Sequence, residues 1–75
     1  MNKFSQRLKE LRINRGDTQK VVAEYLDIFP KAYQRYEYGE REPEFDTLIK
    51  LCDYFDVSAD YLLGRTDDPT PMKKE

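Results

Sequence analysis

The feature that most restricts this chain is the period of its apolar residues. They return every three or four positions in five short segments, and nowhere alternate with polar residues over the length of a strand. That spacing gives each segment one apolar helical stripe and leaves no candidate sheet. Phe4, Leu8 and Leu11 mark the first segment, with Lys3, Arg7, Lys9 and Arg12 between them and Gly16 as its stop. Asp17-Thr18 offers a cap for a second helix running from Thr18 to Leu26, striped by Val22, Ala23 and Leu26. Pro30 suits the first turn of a third, where its missing N–H would have gone unpaired. Ala32, Tyr33 and Tyr36 give that helix an inner face, Lys31, Gln34 and Arg35 an outer one, and Gly39 closes it. Phe45, Leu48, Ile49, Cys52 and Phe55 mark the fourth, and Ser58 caps a short fifth from Ala59 to Leu63, stopped by Gly64. Helices this short are marginal alone, so each must bury its stripe on the others. The reading is one all-α domain over residues 1–65, then a polar tail over 66–75.

At 75 residues the chain supports a single core, and 39% apolar with 37% charged residues is ordinary for a helical domain that folds. Its longest apolar runs are two or three residues, against the roughly 20 that cross a bilayer, and its amino end has no apolar stretch of signal-peptide length. Cys52 is alone, so no internal disulfide forms, and the expectation is a cytoplasmic protein. With no histidine, no second cysteine and no glycine-rich phosphate loop, the sequence predicts no enzyme, no cofactor, no metal and no small-molecule substrate. A net charge of −2 argues, taken alone, against a nucleic-acid partner. The distribution says more. Residues 1–20 hold six basic and two acidic groups, whereas 41–60 hold two basic and six acidic ones, which implies a molecule with one basic and one acidic side.

The second and third segments are joined by three or four residues, and small Ala23 permits close packing at a steep angle. The third helix is thereby pushed outward, into reach of the major groove, about 12 Å wide, where every base pair shows a distinct pattern. Around this unit stand Thr18-Gln19, Ala23-Glu24, Leu26 and Ile28, then Tyr36-Glu37-Tyr38-Gly39-Glu40-Arg41-Glu42-Pro43, and finally Val57-Ser58-Ala59-Asp60-Tyr61-Leu62-Leu63-Gly64. In order and spacing these residues resemble the Cro/repressor type of helix-turn-helix domain, the XRE family of bacterial and phage regulators, over residues 3 to 65 without a gap.

The resemblance implies the compact five-helix lambda-repressor-like fold, a supporting second helix and a recognition third helix. It implies a homodimer that binds a near-palindromic double-stranded DNA operator and regulates transcription, a repressor before an activator. Position by position, it puts Gln19 on a DNA phosphate and Pro30, Lys31, Gln34 and Arg35 on base-reading positions. A helix amino terminus favours phosphate, and lysine or arginine can donate to guanine as glutamine can pair with adenine. Arg41 falls among the backbone-contacting charges, Arg12 pairs with Glu37 to tie the first helix to the third, and Tyr38 is the tyrosine best placed for a phosphate.

Two positions depart from the family pattern. Phe29 stands where a serine or threonine caps the recognition helix, and Asp27 replaces the usual turn glycine. Phe29 has two readings, packing under the turn or contact with a thymine methyl. Most of the six tyrosines are expected in the core, with Cys52 as a small buried hydrophobe. The dimer is expected to use helix five and the tail, through an exposed Tyr61, Leu62 and Leu63. The alternative reading is a protein-interaction module of the same fold, an antitoxin or anti-repressor partner, which the net acidity favours.

Overall fold

Three of the helices described begin at a side chain that satisfies one of their first amides. In the computed structural model, which describes residues 2–71, the side-chain Oδ1 of Asn2 accepts from the Ser5 amide at 2.8 Å and opens α1 (Lys3–Arg15). Thr18 Oγ1 accepts from the Val21 amide at 3.2 Å and opens α2 (Gln19–Leu26). Phe29 has no acceptor to offer α3 (Pro30–Glu37), whose first residue, Pro30, has no N–H to satisfy. Glu44 makes no side-chain cap to α4 (Phe45–Phe55), while Ser58 Oγ accepts from the Tyr61 amide at 3.0 Å at the start of α5 (Ala59–Leu62). No strand occurs among the described residues.

The stops are as local as the starts. Gly16, at φ 81°, ends α1 in the left-handed region that glycine enters without steric cost. Asp27 ends α2 at φ 57° and Asp56 ends α4 at φ 55°, so the aspartate in the turn does adopt the conformation a glycine would have supplied. The Ile28 amide then bonds back to the Ala23 carbonyl at 3.1 Å, which fixes the turn between α2 and α3.

α3 packs on α2 and α1, α5 on α1 and α4, and α2 touches α4. Leu8, Val22, Ala23, Tyr33, Leu51 and Leu62 are completely enclosed at the centre. Each large apolar side chain removed from water there contributes about 1.5–3 kcal/mol.

Several expectations are corrected. Phe45 and Ile49 do not belong to the inner stripe of α4: they are exposed, one turn apart on the outside, while Leu48, Leu51, Cys52 and Phe55 face inward. Leu62 is fully buried and Tyr61 lies beneath the Arg7 guanidinium, so of the three residues at the end of α5 only Leu63 is exposed. Most of the tyrosines do meet the core, Tyr33 and Tyr36 buried in it and Tyr54 and Tyr61 packed against it, while Tyr38 is exposed and Tyr25, also exposed, lays its ring 4.5 Å from that of Tyr54.

Arg7 joins the chain ends. Its guanidinium donates to the carbonyl oxygens of Tyr61 and Thr66, the latter at 2.6 Å, and forms an ion pair with Asp67 at 2.6 Å. The Ser58 amide also donates to the Pro69 carbonyl at 3.1 Å, so the tail is bonded to the helical body at Thr66, Asp67 and Pro69. Residues 72–75 of the tail lie outside the described residues. A second tie, at the other end of α1, brings Arg15 over the Tyr54 ring and within 2.9 Å of Asp17, whose carboxylate accepts from the Tyr54 hydroxyl at 2.5 Å. That contact raises the Tyr54 pKa above its ordinary value.

Candidate nucleic-acid interface

The outward face of α3 follows from what its inward face must bury. Tyr33, Tyr36 and Glu37 are enclosed, and the helix period then turns Lys31 and Arg35 to the opposite side, where both are exposed. Neither takes part in an ion pair among the described residues. Pro30 is exposed at the amino end of the helix and Gln34 is half-buried beside Arg35. Tyr38, the carboxyl cap of α3, is exposed, as is Arg41 in the loop that follows.

Behind this face lies a charged anchor. Glu37 is 1% exposed and receives Arg12 as a fork, Nε to Oε2 at 2.6 Å and Nη2 to Oε1 at 3.0 Å. The remaining Arg12 nitrogen, Nη1, donates to the Asp17 carbonyl at 3.0 Å. Burial alone would raise the Glu37 pKa, but the Arg12 bonds, with the nearby Tyr33 hydroxyl and the Gln19 amide, outweigh it and hold the carboxyl below its ordinary value. The Arg12 pKa is raised, first by its hydrogen bond to Glu37. The Tyr33 hydroxyl is enclosed without a well-formed hydrogen bond, and burial, then the Glu37 carboxylate, push its pKa up.

Gln19 belongs to this cluster too. It is the first residue of α2, half-buried, and its Nε2 donates to Glu37 Oε1 at 3.2 Å. The amide therefore has an internal partner that the sequence did not reveal, since the two residues are 18 positions apart. Its backbone N–H, at the exposed first turn of α2, is among those with no partner inside the helix. One carboxylate thus fixes α1, the start of α2 and the last turn of α3 to one another. The ring of Phe29, just ahead of Pro30, is 80% exposed. The sequence left that ring between two roles, and only its missing cap oxygen marked the position as unusual.

The arrangement is two short helices held at a fixed turn, with polar side chains of the second directed outward: the form of a helix-turn-helix nucleic-acid-binding domain. Comparison with known proteins agrees. The helix-turn-helix family matches residues 8–62. The HTH-type transcriptional regulator ImmR of Bacillus subtilis is 47% identical over 64 residues, which cover 85% of this chain and 50% of ImmR. Among solved structures, a transcriptional regulator from Listeria innocua superposes with a TM-score of 0.78 at 33% identity, over 81% of this chain and 57% of that one. The DNA-binding domain of the P22 C2 repressor does so with a TM-score of 0.75 at 26% identity, over 84% and 86%. The chain belongs to the helix-turn-helix family of the Cro/repressor (XRE) type, and its five helices form the lambda-repressor-like fold. It spans 50% to 61% of the length of the first curated relatives it matches.

Proposed function

We propose that this chain binds double-stranded DNA sequence-specifically and regulates transcription as a repressor of bacterial or phage type, acting at the nucleoid in the cytoplasm. The observation that carries the reading is the pair of exposed, unpaired cations Lys31 and Arg35 on α3, backed by a helix face that is wholly buried. In this reading α3 enters the major groove, with Pro30, Lys31, Gln34 and Arg35 meeting base edges. Lys31 and Arg35 donate to guanine O6 and N7, and Gln34 pairs with adenine. The amino end of α2 at Gln19, together with Tyr38 and Arg41, grips the flanking phosphates. The names of relatives support the regulatory role, ImmR as a transcriptional regulator and RstR, from a cryptic phage of Vibrio cholerae, as a transcriptional repressor.

The operator-bound form is a homodimer in this reading; of the residues expected at the end of α5, Leu62 is buried and Tyr61 lies beneath Arg7, which leaves Leu63 to contribute to its surface. An apolar groove lined by Phe4, Pro43, Phe45, Leu48 and Leu63 carries Lys3 and Glu42 in its walls, and Phe45 and Ile49 extend it as an exposed face. Opposite charges within one patch make it self-complementary across a two-fold axis, as a second copy requires. In such a dimer the two α3 helices must meet half-sites one DNA turn, about 34 Å, apart.

The acidic stretch 41–60 favours one other reading, a protein-interaction module without DNA binding. Salt separates the two. Duplexes enriched from a random pool are tested by mobility shift at 50 and at 200 mM salt, on the order of the range where phosphate contacts lose most affinity. DNA binding through several phosphates weakens steeply between them, and enrichment of no duplex overturns the proposal.

A further inference from the structure

Phe29 is the N-cap of α3, and its ring covers nothing: at 80% exposure the packing role under the turn is removed. The residue also works against local helix chemistry. Thr18 and Ser58 cap α2 and α5 through side-chain oxygens, whereas Phe29 leaves α3 without one. Positions that break a local rule without structural gain are the ones to examine for function.

The ring is held on stiff backbone. Its carbonyl accepts from the amides of Ala32 at 2.9 Å and Tyr33 at 3.2 Å, Pro30 restricts the next φ, and the Ile28 amide is bonded back to Ala23. Beside it, Asp27, Ile28 and Phe29 line a shallow cleft of about 210 Å³. An exposed apolar ring therefore projects from a fixed stretch of backbone at the end of α3 that carries Pro30 and Lys31. On the major-groove edges of the base pairs, the apolar feature available to such a ring is the 5-methyl group of thymine.

We propose that Phe29 reads a thymine by covering its 5-methyl group, and so adds an apolar determinant of sequence preference to the polar residues of α3. This rests on the DNA-binding reading above. The test uses duplexes enriched by the full chain from a random pool, in which each thymine is replaced in turn by uracil. Uracil deletes the methyl group and keeps every hydrogen-bonding edge.

One thymine in each half-site is expected to lose about fourfold in affinity on replacement, the equivalent of about 0.8 kcal/mol for one buried carbon group. Phe29→Ser supplies the missing cap oxygen and is expected to fold with a thermal midpoint no lower than the parent. It should bind the thymine duplex about fourfold more weakly and the thymine and uracil duplexes alike. Equal binding of both duplexes by the unaltered chain at every position overturns the proposal, as does uracil sensitivity that persists in Phe29→Ser. A pool that yields no enriched duplex overturns the DNA-binding reading itself, which keeps the two failures apart.

Discussion

The Arg12 guanidinium spans both carboxylate oxygens of Glu37, at 2.6 and 3.0 Å, and the two charges sit where water barely reaches them. A pair of this kind is valuable chiefly for what its halves would cost apart. Removing one partner from a buried pair destabilises by about 3–5 kcal/mol, whereas replacing both with apolar residues of similar volume is often neutral. Glu37→Gln is accordingly expected to lower the unfolding free energy by about 3 kcal/mol, since the Arg12 charge remains. Arg12→Met with Glu37→Leu should recover most of that loss. Urea unfolding of the three proteins measures it, and a double variant as weak as the single one contradicts the account.

The same carboxylate sets an acid limit. Its pKa is lower in the folded chain, so the unfolded chain takes up protons more readily, and stability from this group is complete above its ordinary value of 4.5. It drains away as pH falls from there through the lower folded value. Urea midpoints of the parent should therefore decline more steeply below pH 4.5 than those of Glu37→Gln. On the alkaline side Tyr33, with its pKa raised by burial, contributes stability that is complete below its ordinary 10.0 and lost above it.

For recognition, the expected contrast is between Arg35→Ala and Gln19→Ala. Losing Arg35 should relax preference at one base pair, at about 1–3 kcal/mol against the best duplex, and leave the thermal midpoint unchanged. Losing Gln19 should weaken all duplexes by a similar factor. It should also lower stability by about 0.5–1.5 kcal/mol, because its amide donates to Glu37 at 3.2 Å. Binding isotherms on matched and mismatched duplexes, paired with thermal melts, read both effects, and the reverse pattern contradicts the assignment.

Phe45→Glu tests the dimer surface. The side chain is 86% exposed, so the fold should be unaffected. Burying a phenyl group between two copies contributes about 1.5–3 kcal/mol, and its loss should weaken self-association roughly tenfold or more. Sedimentation equilibrium of both proteins measures this, and identical association constants would exclude the face.

Much of this molecule is legible in its sequence because its helices are closed by local chemistry. Thr18, Ser58, Gly16 and Pro30 act within one turn of themselves, and the helices begin and end within a residue or two of where those signals stand. The phase of α4 was harder to read. Phe45, Leu48, Ile49, Cys52 and Phe55 make a stripe wide enough to be rotated either way, and only packing against α5 and α2 decides that Leu51 turns in and Phe45 out. Contacts that cross the chain leave no local trace: Arg7 meets Asp67 across 60 positions, and Gln19 meets Glu37 through space. At the interface, the exposed pair Lys31 and Arg35 follows from the helix period, but the bareness of Phe29 depends on what the turn leaves uncovered.

Among the described residues, the side chains of Lys31 and Arg35 form no ion pair and no hydrogen bond with the rest of the fold. Their surroundings are held by Tyr33, Tyr36 and Glu37, which look the other way. Exchanging the outward residues therefore carries little thermodynamic penalty, and, under the proposed reading, a lineage descended from this chain acquires a new DNA target by a few substitutions without first having to repair its framework.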